Sequence, residues 1–326
     1  MKRGGGGGER SMVPPARFRS YYGRPIVKAP VWHHDVPAYL FTGGLAAGSS
    51  LLAAGADLTG RRRLRRVARL TSIAALGASA YFLVNDLGRP DRFHHMLRVA
   101  KPTSPMSMGT WILTGYGPVA GLAAMSEAAG ALPRRGVTGL VRRLLPGTGR
   151  AAGLAAAGLA PAVATYTAVL LADTANPSWH EAYPELPFVF GGSALAAASG
   201  IGMIAAPAAE AGPARRLAVA GAALELAATH RMESRLGLLA EPYEQGHAGK
   251  LLRAARALTA TGAAGAVLAG RSRIVSVLAG AALVAGSALT RFGIFEGGVA
   301  AANDPKYTVL PQRQRLKEEG PARAGP

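Results

Sequence analysis

Eight stretches of this 326-residue chain, built mostly of Ala, Gly, Leu and Val, carry few or no charges: 36–56, 67–87, 106–130, 151–172, 186–206, 217–230, 251–270 and 274–290. A helix of about 20 residues spans the roughly 30 Å hydrocarbon core of a bilayer. A soluble helix needs a charged stripe at the helical period, and most of these runs have none. The pattern predicts an all-α integral membrane protein with eight transmembrane helices. The sixth run is short and holds Glu225, which makes it the weakest of the eight.

The clusters between the runs hold the charge. Lys and Arg total 37 against 18 Asp and Glu, a formal net charge of +19. Such an excess often marks a nucleic-acid binder, but those proteins set stacking aromatics beside their basic face. Aromatics make up only 6% here and mean hydropathy is +0.18, so the expected surrounding is membrane lipid and no nucleic acid. With no cysteine, the chain has no disulfide, thiolate zinc site, cysteine nucleophile or iron–sulfur cluster of its own. No P-loop, dinucleotide fingerprint or zinc motif occurs.

Residues 1–35, with a run of glycines and Pro14-Pro15, read as a flexible basic arm, since they lack the apolar core of a signal peptide. Residues 36–292 read as the membrane domain and 293–326 as a polar tail. The loops after the first, third, fifth and seventh runs carry most of the loop arginines, Arg61, Arg62, Arg63, Arg65 and Arg66 among them, with few acids. The excess of positive charge on cytoplasmic loops puts those loops inside a cytoplasmic membrane and both termini outside. Basic residues in the two termini weigh the other way, although distant tail charges count for less.

All seven histidines (His33, His34, His94, His95, His180, His230 and His247) fall on the side of the termini, as do Trp32 and Trp179. Tryptophan at an interface is commonly a belt anchor, and loop histidines are commonly solvated. Their one-sided placement nevertheless puts the expected chemistry, or a partner, on that face.

Several stretches together resemble a known family. They are Trp32-His33-His34-Asp35-Val36-Pro37-Ala38-Tyr39 with the run that follows, Asp86-Leu87-Gly88-Arg89-Pro90 through Lys101-Pro102-Thr103-Ser104-Pro105-Met106-Ser107-Met108-Gly109-Thr110-Trp111, Tyr166-Thr167-Ala168-Val169-Leu170-Leu171, and Asp304-Pro305-Lys306-Tyr307-Thr308 with Gln312-Arg313. Over roughly residues 30 to 315 the chain resembles the NrfD type of membrane subunit found in polysulfide reductase and related molybdopterin oxidoreductases. The second stretch is the most specific. The resemblance implies a haem-free subunit that is not an enzyme alone but part of an oxidoreductase complex. It binds a quinone or menaquinone and exchanges electrons with a four-cluster ferredoxin-like iron–sulfur subunit, which serves a molybdopterin catalytic subunit. It also implies eight spans with a four-helix bundle around the quinone pocket, and it carries the roles of quinone ligands onto His34 and Tyr166.

A quinol releases two protons with its two electrons, so such a pocket needs hydrogen-bond partners for both oxygens and a group able to take a proton near neutral pH. Asp173 lies seven residues after Tyr166, on the same helix face about two turns away. It is the candidate base, or else an interfacial cap before Asn176-Pro177. His33 neighbours His34 closely enough to exchange roles with it. Asp86 and Arg89 bracket a turn and read either as part of the pocket or docking surface or as a local ion pair. Glu225 is a mid-span carboxylate, costly in a bilayer, so it faces the protein interior either on a proton path or bonded to a neighbouring helix. Asp57 reads as a partner of the adjacent arginines.

Three rival readings are weaker. A haem site needs histidines on facing helices, and only His230 approaches a helix interior. A transporter or channel would show an internal repeat and broken helices. A purely structural anchor leaves the convergence of Tyr166, Asp173 and His34 without a reason.

Overall fold

The structure, a computed structural model, describes residues 25–87, 89–129, 136–270 and 272–319. Most of the expected arm 1–35, its glycines included, lies outside these residues. The described residues form α1 (Asp35–Leu58), α2 (Arg62–Asn85), a 3-10 turn (Pro90–Leu97), α3 (Pro105–Ser126), α4 (Gly136–Ala172), the short α5 (Pro177–Glu181), α6 (Leu186–Ala205), α7 (Gly212–Leu236), a second 3-10 turn (Gly237–Ala240), the short α8 (Glu241–Glu244), α9 (Gly246–Leu268), α10 (Arg273–Asn303) and α11 (Lys306–Glu319).

The eight longest, α1 to α4, α6, α7, α9 and α10, coincide with the eight apolar runs. Five of them are long and apolar enough to cross a membrane: α1, α2, α4 from Arg143, α6 and α10. The other three fall short for readable reasons. α7 contains Arg215, Arg216, Glu225, Arg231, Glu233 and Arg235, α9 contains Lys250, Arg253 and Arg256, and α3 is diluted by Ser, Thr, Gly and Pro. Large apolar side chains stand on the outer surface, among them Leu70, Tyr81, Val169, Phe188, Val267 and Leu278, as expected where lipid is the solvent.

Local sequence sets several helix ends. Ser104 caps α3 by accepting from the Ser107 amide at 3.4 Å, with Pro105 in the first turn. Ser272 caps α10 at Val275 in the same way, satisfying donors that a helix start leaves free. α1 turns into α2 through Gly60, whose φ of +69° suits glycine. α10 does not stop at 290 but runs on to Asn303, past the expected boundary at 292, because Gly297 and Gly298 let it pack against Tyr243 and Trp179.

The long helices pack as two rings of four. α1, α2, α3 and α4 each touch the next and α4 closes back on α1; α6, α7, α9 and α10 do the same. The rings meet where α1 lies on α6 and α10, and α4 on α6. Small residues permit these approaches. A Cβ on Gly48 would strike the Ala194 backbone, and one on Gly200 would strike Gly280.

Candidate functional site

At the terminal end of the first ring, the last two turns of α4 and the start of α3 border an open cavity of about 470 Å³. Tyr166, Val169 and Asp173 line it at spacings of three and four residues, one face of α4. Pro102, Pro105 and Met108 supply an apolar wall, and His180 and Tyr183 come from the segment after α4. Tyr166 is buried at the base, where its hydroxyl is hydrogen-bonded to that of Tyr39, itself buried on α1. Asp173 and His180 are exposed at the rim.

The wall's sequence has local reasons. A Cβ on Gly109 would enter the Tyr166 ring, so glycine is needed there for the tyrosine to lie against α3. Ser107 Oγ donates to the Val99 carbonyl at 2.8 Å, and the Trp111 indole donates to the same carbonyl at 3.4 Å. The Pro-Met-Ser-Met-Gly-Thr-Trp stretch thus fastens the preceding loop to α3 and makes room for Tyr166.

The His180 side is fastened to the second ring. Asn176 caps α5 and its side-chain amide donates to Gly298 O at 2.5 Å. The fully buried Trp179 indole donates to Ile294 O at 2.9 Å and stacks with Trp32 at 6.0 Å. His180 Nδ1 lies 2.9 Å from Ala172 O, an acceptor. That bond puts the proton of a neutral ring on Nδ1 and leaves Nε2 to accept. Two ion pairs brace this end. Arg235 beside Glu185 holds that carboxyl below the usual range, and Lys306 does the same for Glu241.

Of the sequence candidates, Tyr166 and Asp173 line this cavity together and His34 does not. His34 is exposed at the start of α1, where its carbonyl accepts from Ala38 N at 3.3 Å. His33 is exposed as well, and its amide lies 3.5 Å from Asp86 Oδ1. The local Asp86–Arg89 ion pair is not formed. Asp86 faces the start of α1, and Arg89 is exposed without an acidic partner among the described residues. Two lining or base residues were missed, His180 and Tyr39. His180 was legible only as one of seven histidines on this face, and Tyr39 stands in the first resembling stretch, just past His34.

Glu225 and Arg291 lie in the second ring, 2% and 1% exposed. Glu225 Oε1 is 2.6 Å from the Thr290 hydroxyl on α10, so it is bonded to a neighbouring helix. The Arg291 guanidinium donates to Phe190 O at 2.7 Å and lies 3.7 Å above the Phe190 ring. Asp57 pairs with Arg65 at 2.8 Å, as its position beside the arginines suggests.

No curated protein matches the chain. The family model described as polysulphide reductase, NrfD, matches residues 26–233, from just before α1 to near the end of α7. That is more than half of the chain, and the resembling stretch 304–313 lies beyond it. The protein is a multi-pass membrane protein of the NrfD family, whose members are membrane subunits of molybdopterin oxidoreductase complexes and work with catalytic and iron–sulfur subunits.

Proposed function

We propose that the protein is the quinone-reactive subunit of such a complex, exchanging electrons between the membrane quinone pool and an iron–sulfur partner docked over the terminal face. The observation that carries this is the joined Tyr39 and Tyr166 hydroxyls at the base of an apolar-walled cavity whose rim holds Asp173 and His180. Such a cavity suits a planar, largely apolar head group with an oxygen at each end. One oxygen meets Tyr166, and the other reaches the rim. Quinol oxidation releases two electrons and two protons; Asp173 and the free His180 Nε2 take up protons and pass them to water on the same side. Quinone reduction runs the same steps backwards, and the partner's substrate sets the direction.

In this reading all eight long helices cross the membrane, the termini face outward, and no haem is needed. His34, Asp86 and Arg89 lie outside the cavity lining and belong to the surface that the iron–sulfur subunit covers.

The test is Asp173→Asn in the purified complex, with reduction of the partner's clusters by quinol followed optically. Loss of acid–base help should slow reduction about 100-fold, with the partner still co-purifying. Unchanged reduction would remove Asp173 from the mechanism. Unchanged reduction in Tyr166→Phe and His180→Gln as well would leave only a structural anchor.

A further inference from the structure

The opposite end of the first ring has its own cavity, of about 600 Å³, where α1 and α3 end, α2 begins and α4 passes. Six arginines line it, Arg62, Arg63, Arg65, Arg66, Arg69 and Arg150, against two carboxylates, Asp57 and Glu127. The inner part is a tight lattice. Arg65 reaches both Asp57 and Glu127 at 2.8 Å, and Arg69 reaches Glu127 at 3.0 Å and Ser126 Oγ at 2.9 Å. Those contacts pair both acids, although Asp57 Oδ2 accepts no hydrogen bond among the described residues, and still leave positive charge in excess. The Arg62 and Arg63 side chains have no acidic partner among the described residues, although the Arg63 backbone amide donates to Glu210 at 2.7 Å. Arg66 and Arg150 stand at 3.7 and 3.4 Å from their nearest carboxylate oxygens, with side chains 63% and 62% exposed. Arg69, only 5% exposed, keeps its Nε without a hydrogen-bond partner among the described residues. Gly153 makes room for that guanidinium, since a Cβ there would sit 2.8 Å from Nη2.

We propose that this cavity binds the phosphate of an anionic phospholipid. Guanidinium groups match phosphate oxygens in geometry and charge, and basic pockets between membrane helices hold such head groups. The lipid, rather than free phosphate, is indicated by what lies one turn further along each rim helix. Leu70 follows Arg66 and Leu154 follows Arg150 at i+4, on the same faces, and these leucines are 49% and 42% exposed. Each rim arginine is thus paired with an outward apolar side chain on the bilayer side of the cavity, the arrangement that a head group with attached acyl chains requires. The site rests on the membrane placement of these helices but is independent of quinone chemistry.

The experiment uses the full chain in neutral detergent, with native mass spectrometry titrations of phosphatidylglycerol, phosphatidylcholine and inorganic phosphate, and thermal melting in parallel. Phosphatidylglycerol should bind preferentially and raise the melting temperature. The double variant R66Q/R150Q leaves the Arg65–Arg69 lattice in place and should weaken phosphatidylglycerol binding about thirtyfold, from roughly 1 kcal/mol per arginine near a charged membrane surface. The remote exposed variant K250Q should not. Equal binding of phosphatidylcholine and phosphatidylglycerol by the unmodified chain would overturn the proposal, and so would equal weakening by K250Q. Stabilisation by phosphate alone to the same extent would show an inorganic anion site in its place. The comparison of lipids on the unmodified chain decides the matter even if the double variant does not fold.

Discussion

The two helix rings handle buried polarity in opposite ways. Midway along the first, the groups around Tyr116 are neutral hydroxyls that satisfy one another, and its buried charges, Arg69 with Asp57 and Glu127, gather at one end. Tyr116 Oη lies 2.7 Å from Ser50, 2.8 Å from Ser72 and 2.8 Å from the Ala46 carbonyl, and Ser50 and Ser72 are 3.0 Å apart. In the second, a carboxylate and a guanidinium share the interior, and Glu225 Oε2, Arg291 Nε and Arg291 Nη1 have no hydrogen-bond partner among the described residues. Fully partnered hydroxyls cost little to bury, whereas buried charge is costly and holds only through its countercharge and a few bonds. The middle of the first ring is therefore a settled scaffold between the cavities at its two ends. The second carries an internal electrostatic obligation.

The largest expected effect strikes that obligation. Arg291→Met leaves Glu225 without the charge that acts on it and should cost about 3–5 kcal/mol, the range for stranding a buried ion. Adding Glu225→Gln should recover most of the loss. Unfolding in mixed detergent would measure both, and equal stability of Arg291→Met and the unmodified chain would erase the contrast between the rings.

Next comes Gly109→Ala in the first ring. The added methyl must displace the Tyr166 ring, at about 1–3 kcal/mol for overpacking, and quinol-dependent reduction should fall with it. Normal turnover with a normal melting curve would show that Tyr166 has room to move, and that the glycine is there for another reason.

Tyr116→Phe sharpens the comparison at smaller scale. Ser50 and Ser72 keep each other, so the loss should be about 1 kcal/mol, one hydrogen bond's net worth. A loss as large as that of Arg291→Met would mean that the hydroxyl network is as strained as the charged one.

The smallest effect is pH-dependent and sits at the junction. Glu185, at the start of α6, is held below its ordinary range by Arg235 near the end of α7. A depressed folded-state pKa contributes stability that is present above the ordinary value of about 4.3 and is lost as pH falls through the lower folded value. Melting temperature should drop between about pH 5 and pH 3, and Glu185→Gln should remove part of that drop. Identical acid profiles would mean that water screens the pair completely.

Much of this was readable along the chain. The eight apolar runs marked the eight long helices, and the i+7 spacing of Tyr166 and Asp173 placed both on the face that lines the cavity. The reading failed where the chain doubles back. His34 stands in the first resembling stretch, immediately before α1, but ends up exposed, while His180 comes to the rim. His180 is carried there because Asn176 and Trp179 bond to α10, 122 and 115 residues further along. No local pattern reports a contact of that separation. The Asp86–Arg89 pair failed for a related reason, since Asp86 turns to the start of α1, 53 residues back.

Helix number, helix positions and the uneven sharing of charge between the two ends follow from length and hydropathy, which are local properties that a bilayer enforces on each segment separately. How the helices close into two rings, which tyrosine meets Tyr166, and which histidine reaches the cavity follow from contacts between segments far apart in the chain. Small residues allow those close approaches almost anywhere in so glycine-rich a protein, so the choice among them was made by packing in three dimensions.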